Sequence, residues 1–251
     1  MTARAGAARP DVAAAQRSWP AGRRELFDDA GADAATALAS LRDIARANRF
    51  LGGAGAALSR LDEIFRATPR REGATLTLLD VGTGSGDIPR AARRRGERAG
   101  LRLRIVGVDR HPAAARQAAQ GGAMSGVLAD AAALPLRSRS MDVVLCSQLL
   151  HHFRGAAVTA VVTELERVAR RAVVIADIRP SPIAAAGLWL ASFPLRFHPV
   201  SRRDGVTSVK RGFTPAALRV ACAAAGVDAD VRKHPGFRVT AAWRPRGAPQ
   251  R

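Results

Sequence analysis

Glycines and an aspartate in the stretch LLDVGTGSGDIP, residues 78–89, have the spacing of a strand that turns into a helix around a ligand. An apolar run ends at Asp80, and Gly82, Gly84 and Gly86 follow at alternate positions before a helix-compatible segment. Glycine has no Cβ, so the backbone of such a turn can approach a ligand closely. A dinucleotide fingerprint is the alternative, but it requires GxGxxG, and an aspartate stands here at the third glycine position.

Acidic residues end the next two predicted strands. The segment LRLRIVGVD ends at Asp109, about one βαβ unit after the glycines, and a carboxylate there can accept hydrogen bonds from a ribose diol. Asp130 follows a short apolar run in GVLADAAALPL, and we expect it to accept from an exocyclic amine such as N6 of adenine. A fourth strand starts at Met141 in MDVVLCSQLLHHF. Because parallel strands share a crevice at their carboxyl ends, these residues predict a pocket for an adenosine-containing ligand.

Four motifs, DVGTGSGD, VGVD, LADAAALPL and MDVVLCSQLLHHF, occur in this order within residues 76–177. The series resembles the class I S-adenosylmethionine-dependent methyltransferases, and it is most similar to the small-molecule, quinone-biosynthesis-like (type 11) branch. A later segment, FHPVSRRDG, resembles methyltransferases that accompany polyketide synthases. Matching members often carry histidine where this chain has Arg203.

The resemblance implies an α/β fold: a Rossmann-like, seven-stranded methyltransferase sheet with helices on both faces and an N-terminal helical lid. It implies S-adenosylmethionine as the cofactor and gives the motif residues their roles. The three glycines pass under the methionine part of the cofactor and Asp80 supports their loop. Asp109 holds the ribose, Asp130 with the amide of Ala131 reads the adenine, and the peptide at Ser147 and Gln148 borders the sulfonium and the acceptor.

Histidines after the fourth strand are the candidates for a catalytic base. A phenol or enol acceptor must lose a proton, and histidine titrates near neutral pH. His151 is the first candidate and His152 the second, although either could cap a helix or pack under the lid. His198, in the FHPVSRRDG segment, is a third candidate, which the substitution at Arg203 weakens.

The charge of the chain favours a second functional class. A net charge of +19 attracts nucleic acid, so an RNA or DNA methyltransferase is the alternative function. All but two of the 40 basic residues are arginine, however, and no aromatic residues interleave with them to stack on bases. We therefore expect a small, lipophilic or aromatic acceptor of polyketide or quinone type and no specific nucleic acid. A non-catalytic cofactor-binding protein is a third possibility.

Composition sets the domain organisation. We predict a disordered tail over 1–22, a helical lid over 23–72, the methyltransferase domain over 73–244 and a tail over 245–251. Two cysteines provide neither a disulfide framework nor a metal-ligand cluster, so we expect no metal and a reducing cytoplasm. No stretch reaches the roughly 20 apolar residues of a transmembrane helix, and the apolar segment from Ile183 leaves a weak membrane-surface contact open.

Overall fold

A seven-stranded sheet forms the centre of the computed structural model, which describes residues 10–16, 25–29, 31–69, 74–120 and 122–248. Its strands run in the order β3-β2-β1-β4-β5-β7-β6, and β7 runs in the direction opposite to the other six. The predicted Rossmann-like fold and its antiparallel carboxyl-terminal hairpin are confirmed. The strands are β1 (Thr75–Val81), β2 (Arg102–Asp109), β3 (Ser125–Leu128), β4 (Met141–Ser147), β5 (Ala169–Ile178), β6 (Asp230–His234) and β7 (Arg238–Trp243).

Helices cover both faces of this sheet, and two 3₁₀ helices, Leu26–Asp28 and Leu150–His152, lie beyond the carboxyl end of β4. The α-helices of the described residues are α1 (Val12–Ala15), α2 (Ala34–Phe50), α3 (Gly55–Ala67), α4 (Asp87–Arg98), α5 (Pro112–Ala119), α6 (Ala156–Val168), α7 (Pro182–Ala191), α8 (Pro199–Arg211) and α9 (Pro215–Ala224). Among them, none is long and apolar enough to cross a membrane.

Two hydrophobic cores, one on each face, hold the sheet rigid. Helices α6 and α9 pack on one face against residues such as Val144 and Ile175, and α3 and α4 pack on the other against Leu78 and Leu145. Every residue of β4 is buried, as expected for a central parallel strand whose sequence is an almost continuous apolar run. This packing fixes the carboxyl ends of β1, β2, β4 and β5 in one row.

Parts of both predicted tails contact the methyltransferase domain in the described residues. Residues 10–16 are not a disordered tail, because Val12 is buried and the Gln16 amide donates to Phe153 O and accepts from Gly155 N. The rest of that tail lies outside the described residues, and so do residues 249–251. At the other end, the backbone N of Arg246 donates to Glu166, so the described part of the final segment is attached to α6.

Only one of the two predicted lid helices covers the crevice. Asp33 caps α2 by accepting from Thr36 N, and α2 ends just before the Gly52-Gly53 pair, as the sequence indicated. Helix α3 instead belongs to the core, since Leu58, Leu61 and Phe65 are buried against the sheet. Its apolar stripe is continuous along the helix, which makes it a packing helix rather than a lid.

Candidate active site

The glycine loop lies where the sequence predicts it, between β1 and α4. Gly82, Gly84 and Gly86 all have φ between +53° and +76°, a left-handed conformation that residues with a Cβ rarely adopt. A Cβ on Gly82 would also lie 2.8 Å from the side chain of Leu149. The positive φ angles therefore explain why glycine occupies these three positions. The backbone N–H of Gly84 donates to Asp109 at 2.9 Å.

Two aspartates beside this loop have different electrostatic environments. Asp80 is buried, and burial with the neighbouring charges of Asp87 and Asp109 raises its pKa to about 7, although a bond from Thr83 opposes the shift. Asp109 accepts from Gly84 N through one oxygen and from His111 N through the other. Asp80 thus lacks a cationic partner among the described residues, whereas Asp109 is fixed in orientation at the end of β2.

The remaining predicted cofactor residues divide into two groups. Ala131 and Ser147 line the same cleft, and the buried Oγ of Ser147 has no hydrogen-bond partner among the described residues. Asp130 is exposed, accepts from Ala132 N at 2.8 Å and does not line the cleft. The structure therefore brings Ala131 to the cleft and leaves the carboxylate of Asp130 at its rim.

Helix α2 roofs the cleft and is joined to it by a chain of hydrogen bonds. Asn48 donates to Asp87 at 2.9 Å and accepts from Gln148 at 2.6 Å. Gln148 has φ +54°, an uncommon conformation for a residue with a side chain. Leu41 lies about two helical turns before Asn48 on α2. Its Cδ2 atom would be 3.3 Å from a Cβ built on Gly84. This roof leaves a cleft of only about 110 Å³.

A second cavity of about 410 Å³ adjoins the cleft under α7 and α8. Four residues line both the cleft and the second cavity: Phe27, Ile44, Gln148 and His152. The wall of the second cavity is mostly apolar, with residues such as Ile178, Ile183, Leu188, Phe197 and Val209. An apolar ligand in this cavity would therefore lie next to any ligand in the glycine-loop cleft.

A histidine pair stands at the polar end of the second cavity. His151 Nδ1 lies 2.7 Å from Asp177 Oδ1, and the buried His151 Nε2 has no partner among the described residues. Burial disfavours the charged imidazole, but the charge and hydrogen bond of Asp177, with the charge of Glu25, outweigh it and raise the pKa of His151. His152 Nδ1 lies 2.8 Å from Asp28 Oδ1. Each histidine is thus oriented by its own carboxylate.

Glu25 completes this cluster and raises the question of a metal ion. One ligand atom from each of Glu25, His151 and His152 lies within 4.8 Å of the others. The two imidazole rings are tilted, with centroids 4.5 Å apart and planes at 32°. Glu25 is also bonded to Arg211 and to Ser208, so we assign no metal to the cluster.

His198 is not part of this site. It is exposed, caps α8 by accepting from Val200 N, and does not line either cavity. Its predicted role as a base stays a prediction, and the contacts of His198 do not support it. Its backbone N instead donates to Asp43, which ties the start of α8 to the lid helix α2.

Comparisons with known proteins identify the central part of the chain. Residues 79–176 match the profile of the family described as "Methyltransferase domain". The chain contains an S-adenosylmethionine-dependent methyltransferase domain. This domain holds the glycine loop, both histidines and Asp109, and the predicted enzyme class and cofactor are confirmed. No curated protein matches the chain.

Solved structures agree with the methyltransferase fold. A SAM-dependent methyltransferase from Aquifex aeolicus has 13% identity and a TM-score of 0.59, and the match covers 85% of this chain and 98% of that one. The methyltransferase in a complex with the Haloferax volcanii Trm112 activator has 17% identity and a TM-score of 0.54, over 84% and 95% of the chains. At these identities the likeness establishes the fold alone.

The residues of the cleft suit the cofactor chemistry. Asp80 has a buried carboxylate with no cationic partner among the described residues, and this carboxylate could pair with the amino group of the cofactor. Ser147 has a hydroxyl group that is free to form a hydrogen bond. Glu25, Phe27 and Arg238, which line the second cavity, were missed from the sequence. They have no motif or periodicity, since the tertiary fold alone brings Glu25 to α8 and Arg238 to Gln148.

Proposed function

We propose that the protein methylates a small, lipophilic or aromatic acceptor of the polyketide or quinone class. The observation that carries this proposal is the apolar cavity of about 410 Å³ that shares Gln148 and His152 with the cofactor cleft. Its size lies within the roughly 300–1,000 Å³ of small-molecule sites. Bound S-adenosylmethionine supplies an electrophilic methyl group, and the chain's own residues orient the acceptor toward it.

His151 is the residue we propose as the base. Asp177 holds the Nδ1 side of the ring, which leaves Nε2 as the atom that accepts a proton from an acceptor hydroxyl. His152 and Arg238 border the same end of the cavity and would position the acceptor's polar group. In the cleft, Asp109 would bind the ribose and Asp80 the amino group of the cofactor.

A pair of substitutions on one helix tests the acceptor cavity. Ala184 lines the cavity, whereas Ala186 on the same helix is exposed and does not. We expect Ala184→Phe to fill the cavity and abolish radiolabelled methyl transfer to a panel of polyketide phenols and quinone precursors. Binding of S-adenosylhomocysteine should be unchanged in both variants, and Ala186→Phe should retain transfer.

Two results would contradict the proposal. Equal activity of Ala184→Phe and Ala186→Phe would mean that the acceptor does not bind in this cavity. Methyl incorporation into RNA or DNA, with none into the small-molecule panel, would instead favour the nucleic-acid alternative. Calorimetric titration of S-adenosylmethionine into Asp109→Ala separately tests the cofactor site, because that variant should lose micromolar binding while it stays folded.

A further inference from the structure

Helix α7 is an apolar helix without a buried residue. Its sequence, PIAAAGLWLA, contains no charged side chain, and none of its ten residues is buried. Ile183 is 74% exposed, Trp189 42%, Leu190 68% and the following Phe193 49%. These are four of the seven large hydrophobic side chains that are exposed in the described part of the chain. Contiguous exposed apolar surface of this kind marks an interaction site.

Arginines accompany this apolar surface in the sequence. We call the surface the α7 face and define it by Ile183, Trp189, Leu190 and Phe193. The segment 178–203 contains four arginines and no acidic residue. The Arg202 guanidinium lies 4.3 Å from the ring centre of Phe193, and Trp189 packs edge-on against that ring. Aromatic and aliphatic side chains flanked by arginine are the composition of segments that lie in the interface of anionic bilayers.

The opposite side of α7 faces the acceptor cavity. Ala184, Gly187 and Leu188 line that cavity, and Ile183 borders both the cavity and the outside, so the helix is a single layer between the two. Leu188 also packs closely against Gly205 of α8, which holds this layer in place. A partner bound to the α7 face would therefore be separated from the second cavity by one helix.

We propose that the α7 face docks on an anionic lipid surface. The net charge of +19 and the lack of acidic residues within the segment 178–203 favour a negatively charged partner. A second copy of the chain fits less well, because a twofold contact would bring the positive charges of two identical faces close together. Docking itself does not depend on the proposed function. A route for the acceptor from the bilayer into the cavity would depend on it.

Vesicle binding of the full chain tests the docking surface. The probes are large unilamellar vesicles of phosphatidylcholine alone and of phosphatidylcholine with phosphatidylglycerol, read by co-sedimentation and by tryptophan fluorescence. We expect binding to the anionic vesicles only, with a blue shift in emission. Leu190→Gln should weaken binding on the order of tenfold, as should the double variant Arg202→Gln/Arg203→Gln, which removes two positive charges.

Leu128→Ser is the matched control. Leu128 is 58% exposed on β3, at the far edge of the sheet, so its loss should leave vesicle binding unchanged. Absence of binding to anionic vesicles, or equal binding by wild type and Leu190→Gln, would overturn the proposal. A concentration-dependent dimer that Leu190→Gln dissociates would also overturn it, because the face would then be covered by a second copy. Both measurements need neither cofactor nor acceptor, so they are independent of the methyl-transfer assay.

Discussion

The buried carboxyl of Asp80 makes cofactor affinity depend on pH. Its pKa of about 7 means that the group is protonated in acid and ionised above neutrality. If it pairs with the cofactor's amino group, only the ionised form binds well. We expect the Kd of S-adenosylhomocysteine, measured by calorimetry, to rise about tenfold for each pH unit below the pKa. Methylthioadenosine, which lacks the amino acid part, should show no such dependence, and neither should Asp80→Asn with either ligand.

The pairing of His151 with Asp177 predicts a pH profile for methyl transfer. A base must be neutral to accept a proton, so activity should fall as pH drops through the raised pKa of His151. Asp177→Asn removes the charge that raises this pKa, and the acid limb should move to lower pH while the plateau rate declines. His151→Asn should lose on the order of 10²–10⁴-fold in kcat.

A merely structural role for this pair would give a different result. In that case Asp177→Asn would lower activity equally at all pH values and leave the acid limb in place. His234→Asn is the control, since His234 bonds Thr240 on the carboxyl-terminal hairpin and lines neither cavity. It should keep both the rate and the pH profile of the wild type.

Among the secondary-structure elements, helix α2 is the one that we expect to move when the cofactor enters. The cleft that it roofs is about 110 Å³, below the roughly 300 Å³ at which small-molecule sites begin. Asn48 joins α2 to α4 through Asp87 and to β4 through Gln148. We expect α2 to open for entry and to regain these bonds around the bound cofactor, so the helix couples cofactor binding to the acceptor cavity that it also lines.

Substitution of Asn48 tests this coupling. Asn48→Ala removes both bonds and should weaken S-adenosylhomocysteine binding by about 1–2 kcal/mol, measured by calorimetry. Hydrogen exchange should find α2 amides protected by the ligand in the wild type and less so in the variant. Arg49→Ala is the neighbouring control, since the exposed Arg49 contacts the ring of Phe50 and not the cleft. Ligand-independent protection of α2 would contradict the opening.

The elements that were predicted correctly are those whose signal is local. Strand β4 is an apolar run, α2 has a capping aspartate, and the glycine loop needs left-handed backbone at three positions in sequence. The sequence did not reveal that α3 packs on the sheet, because an apolar helical stripe does not say whether it faces a sheet or a ligand. The polar end of the acceptor cavity was predicted only in part: its histidines follow a strand, but Glu25 reaches Arg211 across 186 positions.

On the scale of the whole molecule, the excess of positive charge opposes folding as well as attracting partners. The 40 basic residues face 21 acidic ones, and Arg211 with Glu25 forms a buried ion pair that salt affects little. Added salt should therefore weaken the repulsion among the basic residues more than it weakens the attraction within the ion pairs. We expect the Tm to rise by a few degrees when sodium chloride increases from about 10 mM to about 150 mM, where the Debye length falls from about 30 Å to about 8 Å.

The same salt series separates folding from docking. Docking of the α7 face on anionic vesicles uses the attraction that salt screens, so vesicle binding should decline over the range in which the Tm rises. A protein that is more stable and yet binds less lipid cannot have lost binding through unfolding. A Tm that falls with salt would mean that surface ion pairs stabilise the fold by more than the repulsion from the net charge of +19 destabilises it. The arginines would then be arranged mainly for pairing within the protein and not for an anionic partner.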